Sequence, residues 1–74
     1  MTRKEVKNDF DKYTAGKYIY FDCMVFGEDR VDIKAVSRET NKPMMLKYPL
    51  VAEGMAVDWA NPIEVRQYDP RKDW

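Results

Sequence analysis

Apolar positions recur every three to four residues at the start of the chain and every second residue afterwards. Val6, Phe10 and Tyr13 fall at i, i+4 and i+7, which gathers them on one face of a helix. Thr2 and Glu5 have the spacing of a capping box, and Thr14-Ala15-Gly16 offers a left-handed stop. The pattern predicts a helix over 3–13. Three turns do not hold alone in water, so this face must dock on something.

From residue 17 the period is two. The stretch 17–26 is the longest strand signal. Alternation assigns Ile19, Phe21, Cys23 and Val25 to one face and Tyr18, Tyr20, Asp22, Met24 and Phe26 to the other. Both faces are largely apolar, so the strand is covered on both sides or bends as in a small barrel. Gly27-Glu28-Asp29 reads as a tight turn. A second strand over 30–37 turns Val31, Ile33 and Ala35 inward, with Arg30, Asp32 and Lys34 outward. Val36 breaks the alternation and places the expected bulge there. Arg38 to Lys42 is a polar turn.

Strand three is expected over 43–48, with Met44, Leu46 and Tyr48 on one face and Pro43 tolerated at its first position. Residues 49–54 read as a loop with Leu50 and Val51 tucked beneath the sheet. A fourth strand over 55–59 would place Met55, Val57 and Trp59 together, and a fifth over 63–68 would turn Ile63 and Val65 inward. Residues 69–74 form a tail without periodicity. One helix followed by short antiparallel strands defines an α+β fold over 1–74, with no room for a second core. The expected architecture is a short N-terminal helix packed on a strongly bent four- to five-stranded antiparallel sheet, a small SH3-like or OB-like barrel. A flat sheet with the helix on one face is the alternative.

Composition removes most chemistry. There is no His and one Cys, Cys23, so a disulfide framework, a His/Cys zinc site and a Ser-His-Asp or Cys-His catalytic set are excluded. Gly16, Gly27 and Gly54 lie too far apart for a phosphate loop. Neither catalysis, cofactor nor metal is expected. Cys23, among Ile19, Phe21 and Val25, reads as a small core residue. Glu28, Asp29 and Asp32 read as a solvated turn, since their spacing is not that of a calcium loop. No apolar run approaches the ~18 residues of a membrane span and no signal region follows the N-terminus. A cytoplasmic protein that does not engage membranes is therefore expected.

Lys plus Arg and Asp plus Glu number 13 each, a balance that argues against a general polyanion binder. Aromatic residues make up 14% of the chain, and Trp, Tyr and Arg are the usual anchors of protein interfaces. The expected partner is another protein. Tyr18, Tyr20, Lys47, Trp59, Arg66 and Tyr68 are the candidate contacts, with Arg71, Lys72 and Trp74 of the tail as a second contact. The alternative is a nucleic-acid-binding small β-barrel that uses its strand tyrosines for stacking and Lys34, Lys47 and Arg66 for phosphates. Asp22 and Asp32 sit among the same strands and would repel phosphates. A third arrangement is a homodimer through an edge, strand three or five, with Lys47 and Arg66 guarding it.

Short length, a Met start, high aromatic content and the missing catalytic set together resemble small accessory proteins of bacteriophages. That resemblance implies a protein that inhibits or modulates a host transcription, DNA-processing or defence protein. It carries no residues over.

Overall fold

The structure is a computed structural model and describes residues 2–69 and 71. Helix α1 spans Arg3–Tyr13, and five strands follow: β1 (Tyr18–Phe26), β2 (Arg30–Ser37), β3 (Pro43–Val51), β4 (Ala56–Val57) and β5 (Glu64–Gln67). The helix starts on a closed capping box. The Thr2 hydroxyl accepts from the Glu5 backbone N–H at 3.2 Å, and the Glu5 carboxylate accepts from the Thr2 backbone N–H at 3.1 Å. These bonds to Thr2 hold the Glu5 carboxyl below the usual carboxylate range. Ala15 and Gly16 both take left-handed backbone conformations after the last turn, which frees the chain to enter β1.

The strands form one curled antiparallel sheet, a half-barrel with α1 packed on it, and the fold is α+β. The order is β1-β2-β3. The far edge of β3 is shared, with β5 along Met44–Lys47 and β4 along Leu50 and Val51. Among the described residues β1 therefore has a strand neighbour on one side only, and so does β5. β3 is interior, and the expected role of Lys47 as an edge guard is corrected accordingly.

Where strand three was expected to stop at residue 48, it continues through Val51. Pro49 does not end it, because the neighbouring bonds use other donors. Leu50 donates to the Asp29 carbonyl, and Asp58 donates to the Pro49 carbonyl, both at 2.9 Å. Leu50 is buried as expected, while Val51 stays exposed. The following turn carries three consecutive left-handed residues, Ala52, Glu53 and Gly54. A Cβ on Gly54 would stand 3.2 Å from the Glu28 Cα, so the turn presses directly on the first hairpin. Strand four shrinks to Ala56–Val57, which leaves Met55 on the turn, exposed, and Trp59 in the loop beyond. Val65 lies across from Leu46, on the core side as expected, but is 47% exposed because β5 is a short edge strand, and Ile63 before it is 57% exposed.

The largest correction concerns β1. Tyr20 pairs with Ala35 and Asp22 with Lys34, so Phe21 is an extra residue, a β-bulge. The pairing of Ile19 with Val36 is regular, so the irregularity lies in β1 and not at Val36. The bulge resets the alternation. Tyr18 and Tyr20 before it, and Cys23 and Val25 after it, all belong to the concave core. Ile19 and Phe21, expected inward, are 48% and 72% exposed. A regular strand would have forced a choice between burying Asp22 and exposing the tyrosines; one inserted residue avoids both.

The core holds Val6, Phe10, Cys23, Val31, Ile33, Ala35 and Leu46, each at 1% exposure or less. Phe10 is its hub, with ring centres 5.9 Å from Tyr18, 6.1 Å from Tyr20 and 6.0 Å from Trp59.

Candidate functional site

The register sets the expected contact residues on two different faces. Tyr18, Tyr20 and Trp59 lie on the concave side, half-buried and in ring contact with Phe10. There they dock the helix. Lys47 and Arg66 lie on the opposite, outer face, with Tyr68 just beyond β5. Arg71 is exposed, and Lys72 and Trp74 lie outside the described residues. The set does not converge on one patch.

The outer face is built in rows that cross the sheet. One row runs Asp22, Lys34, Met45, Arg66; the next runs Met24, Asp32, Lys47, Glu64. Opposite charges are neighbours, and ion pairs follow. Arg30 Nε reaches Asp32 at 3.1 Å, Lys47 Nζ reaches Glu64 at 3.5 Å, and Arg66 Nε reaches Glu64 at 2.9 Å. Lys34 Nζ stands 5.4 Å from the Tyr68 ring centre. A phosphate arriving here would compete with carboxylates already in place. Asp32 and Lys34 are themselves buried, as is Met45 at 2% exposure, so this face is tightly filled and offers few free cations.

Two other places are more open. The first is the edge of β1, where Ile19 and Phe21 stand exposed in a strand with one free side. At its N-terminal end a groove of about 340 Å³ is lined by Lys7, Asp11, Gly16, Tyr18, Ile19, Tyr20 and Arg38. The second is an aromatic pocket of about 190 Å³ at the C-terminal end of α1, lined by Tyr13, Thr14, Tyr48, Trp59 and Ala60. Sequence reasoning missed Ile19, Phe21 and Tyr13 as surface groups. A signal for the first two was present: a strand apolar on both faces that also carries Asp22 cannot keep one phase throughout without burying a charge or exposing a large part of its apolar surface.

Reactive groups are quiet. Burial raises the Tyr20 hydroxyl far above its ordinary range, with a further rise from its hydrogen bond to the Cys23 thiol. Burial also raises Cys23 and Tyr48. A buried thiol held protonated is a poor nucleophile. Among the described residues no three His, Cys, Asp or Glu side chains are grouped to hold a metal ion, and no helix is long and apolar enough to cross a membrane.

No family model matches the chain, and neither a curated protein nor a solved structure gives a significant match.

Proposed function

We propose that this chain is a non-catalytic protein-binding module whose contact surface is the open edge of β1. The observation that carries this is the bulge, which leaves Phe21 72% exposed in the middle of a strand that has one free side. Exposing a phenyl ring forgoes about 1.5–3 kcal/mol of burial, and bulges commonly re-aim side chains where a surface is used. An extended segment of a partner could add to this edge through main-chain hydrogen bonds, with Ile19 and Phe21 receiving its alternate apolar side chains. The half-barrel belongs, in this reading, with small SH3-like or OB-like barrels. The target is of the kind that the resemblance to phage accessory proteins implies, a cytoplasmic host protein of transcription, DNA processing or defence, which the module inhibits or modulates.

Affinity capture from nuclease-treated lysate, run with the native chain and with Phe21→Ser, tests the reading. The expected result is a protein recovered by the native chain and lost by the variant, with both chains equally folded by circular dichroism. Retention of the partner by Phe21→Ser would remove the β1 edge as the surface. Recovery of nucleic acid alone from untreated lysate, released steeply by salt, would put the outer-face barrel reading in its place. A chain that sediments as a dimer and captures nothing would assign the edge to self-association.

A further inference from the structure

The open edge of β1 has a helix beside it. α1 packs against β1, and Lys7 and Asp11 of α1 line the groove of about 340 Å³ together with Tyr18, Ile19 and Tyr20 of β1. The groove thus lies between a helix flank and a strand that, among the described residues, has one free side. An extended segment adds to a sheet at such an edge. Three residues of strand span about 10 Å, so residues 18–20 offer main chain to a comparable length of an added segment. A second groove, of about 410 Å³, shares Tyr18 and Arg38 with the first and adds Lys17, Ser37 and Glu39. The two meet at Tyr18 and Arg38, so a bound segment can continue past the start of β1.

Charge selects the segment. Lys7 and Asp11 are already paired with each other at 3.2 Å. The ionisable groups left along the two grooves are Lys17 and Arg38 against Glu39, and among the described residues none of these three side chains has an ion pair or a hydrogen bond. Arg3 stands one turn before Lys7 on the same flank of α1, and its charge acts on Tyr20 and Cys23, so it adds a cation along β1. Asp22 is engaged, accepting from the Cys23 N–H at 2.8 Å. The surplus is cationic, and Arg38, where the grooves meet, carries a fork that pairs bidentately with a carboxylate. Asp11, Asp22 and Glu39 would oppose the repeated charges of a nucleic acid but leave place for a single carboxylate at Arg38. Because the groove continues past Arg38, the segment need not end there, and a side chain rather than a chain end supplies the carboxylate. Ile19, exposed in the same groove, favours an apolar neighbour.

We infer that the groove between α1 and the β1 edge takes an extended segment of a partner protein that sets an Asp or Glu side chain on Arg38 and an apolar side chain on Ile19. This rests on the binding-module reading and gives its partner a chemistry; the preference of the groove can be measured without that partner. The experiment titrates capped heptapeptides of alternating Val and Thr, with Glu, Gln or Lys at the centre, into the isotope-labelled full chain and follows backbone amide shifts. Oligothymidylate and the Gln peptide with a free C-terminal carboxylate are the comparison probes.

Saturable millimolar binding is expected for the Glu peptide, shifting residues 18–21 and Arg38, with the Gln peptide about fivefold weaker and the Lys peptide weaker still. Arg38→Glu should invert that order, which a merely structural role would not do. Arg38 is exposed and lies in a turn, so the variant keeps the fold, and its amide spectrum verifies this. Equal binding of the three peptides, an unchanged order in Arg38→Glu, or no saturable binding of any of them would overturn the proposal. Tighter binding of oligothymidylate would do the same, and tighter binding of the free-carboxylate peptide would overturn the side-chain assignment. A lysate capture that fails beside a successful titration would sink the binding-module reading and leave the preference of the groove standing. A captured partner lost by Phe21→Ser but kept by Arg38→Glu would uphold that reading and overturn this inference.

Discussion

The two faces of the sheet are made from the same strands and hold together differently. The concave face is an apolar cluster of Val6, Phe10, Cys23, Val31, Ile33, Ala35 and Leu46 with no charged member. The outer face buries Met45 beside Asp32 and Lys34 and is tied by the Arg30–Asp32 and Lys47–Glu64–Arg66 pairs. Area removed from water stabilises the first, at about 25 cal/mol per Å². Charge pairing mainly fixes register in the second, since partly exposed pairs contribute little. In a strand of period two, one residue of slip would exchange these faces. The bulge at Phe21 keeps them apart along β1.

The contrast breaks most easily at its hub. Phe10→Ala is expected to cost about 3–5 kcal/mol, against a total of about 4–11 kcal/mol for a chain of this length. Urea titration should find the variant largely or marginally unfolded. Met45→Ala on the outer face should cost less, about 2–3 kcal/mol. If the two losses prove equal, the outer face is a second core and the distinction between area and pairing fails.

Deletions sharpen the comparison further. Without Phe21, β1 becomes a regular strand with Tyr18, Tyr20, Cys23 and Val25 still inward, so the fold should survive with a loss of about 1 kcal/mol or less. Without Met24, either Asp22 turns into the core or Val25 leaves it and Phe26 enters. That deletion should cost several kcal/mol, as an unpaired buried carboxylate or a misfilled core does. Thermal denaturation of the two chains decides the matter, and equal loss would show that the bulge does not set the phase.

This bulge is also where the sequence stopped being legible. The helix, its cap at Thr2 and Glu5, the inward set of β2 and the Met44/Leu46/Tyr48 face of β3 are local patterns, each written in one short window. The phase change inside β1 is not local. It is decided by Ala35 and Lys34 across the ladder and by Phe10 seeking Tyr18 and Tyr20. The same holds for Pro49, whose place in β3 depends on the donors of Leu50 and Asp58 around it. Asp22 signals that β1 cannot keep one phase, but only the pairing locates the change at Phe21 and so leaves Ile19 and Phe21 on the surface. The pocket of Tyr13, Tyr48 and Trp59 unites three elements far apart in the chain.

Alkaline pH should act on the concave face. Tyr20, Tyr48 and Cys23 are held neutral by burial. Below the ordinary values, about 8.5 for a thiol and 10 for a tyrosine, folded and unfolded chains bind the same protons and the contribution is whole. Above them the unfolded chain releases protons that the folded one retains, so stability falls as pH rises toward the raised values. The melting temperature should decline from about pH 9 upward, and Tyr20→Phe should shallow that decline. A flat profile across the range would show that these groups are not buried as described.

The smallest effect is expected on the outer face, and it tests the contrast from the other side. Glu64 lies between Lys47 and Arg66, at 3.5 and 2.9 Å. All three side chains remain partly exposed, at 43%, 24% and 36% respectively. Water screens such pairs, so Glu64→Gln should cost about 0.2–1 kcal/mol, less at high salt. A double-mutant cycle of Lys47→Ala with Glu64→Gln isolates the pair from the packing of the lysine stem. Coupling within ~1 kcal/mol agrees with a face that specifies register and adds little stability. Coupling of ~2 kcal/mol or more would mean that Glu64 is effectively desolvated. The pairs would then carry weight comparable to buried area, and the outer face would have to be ranked beside the core that Phe10 organises.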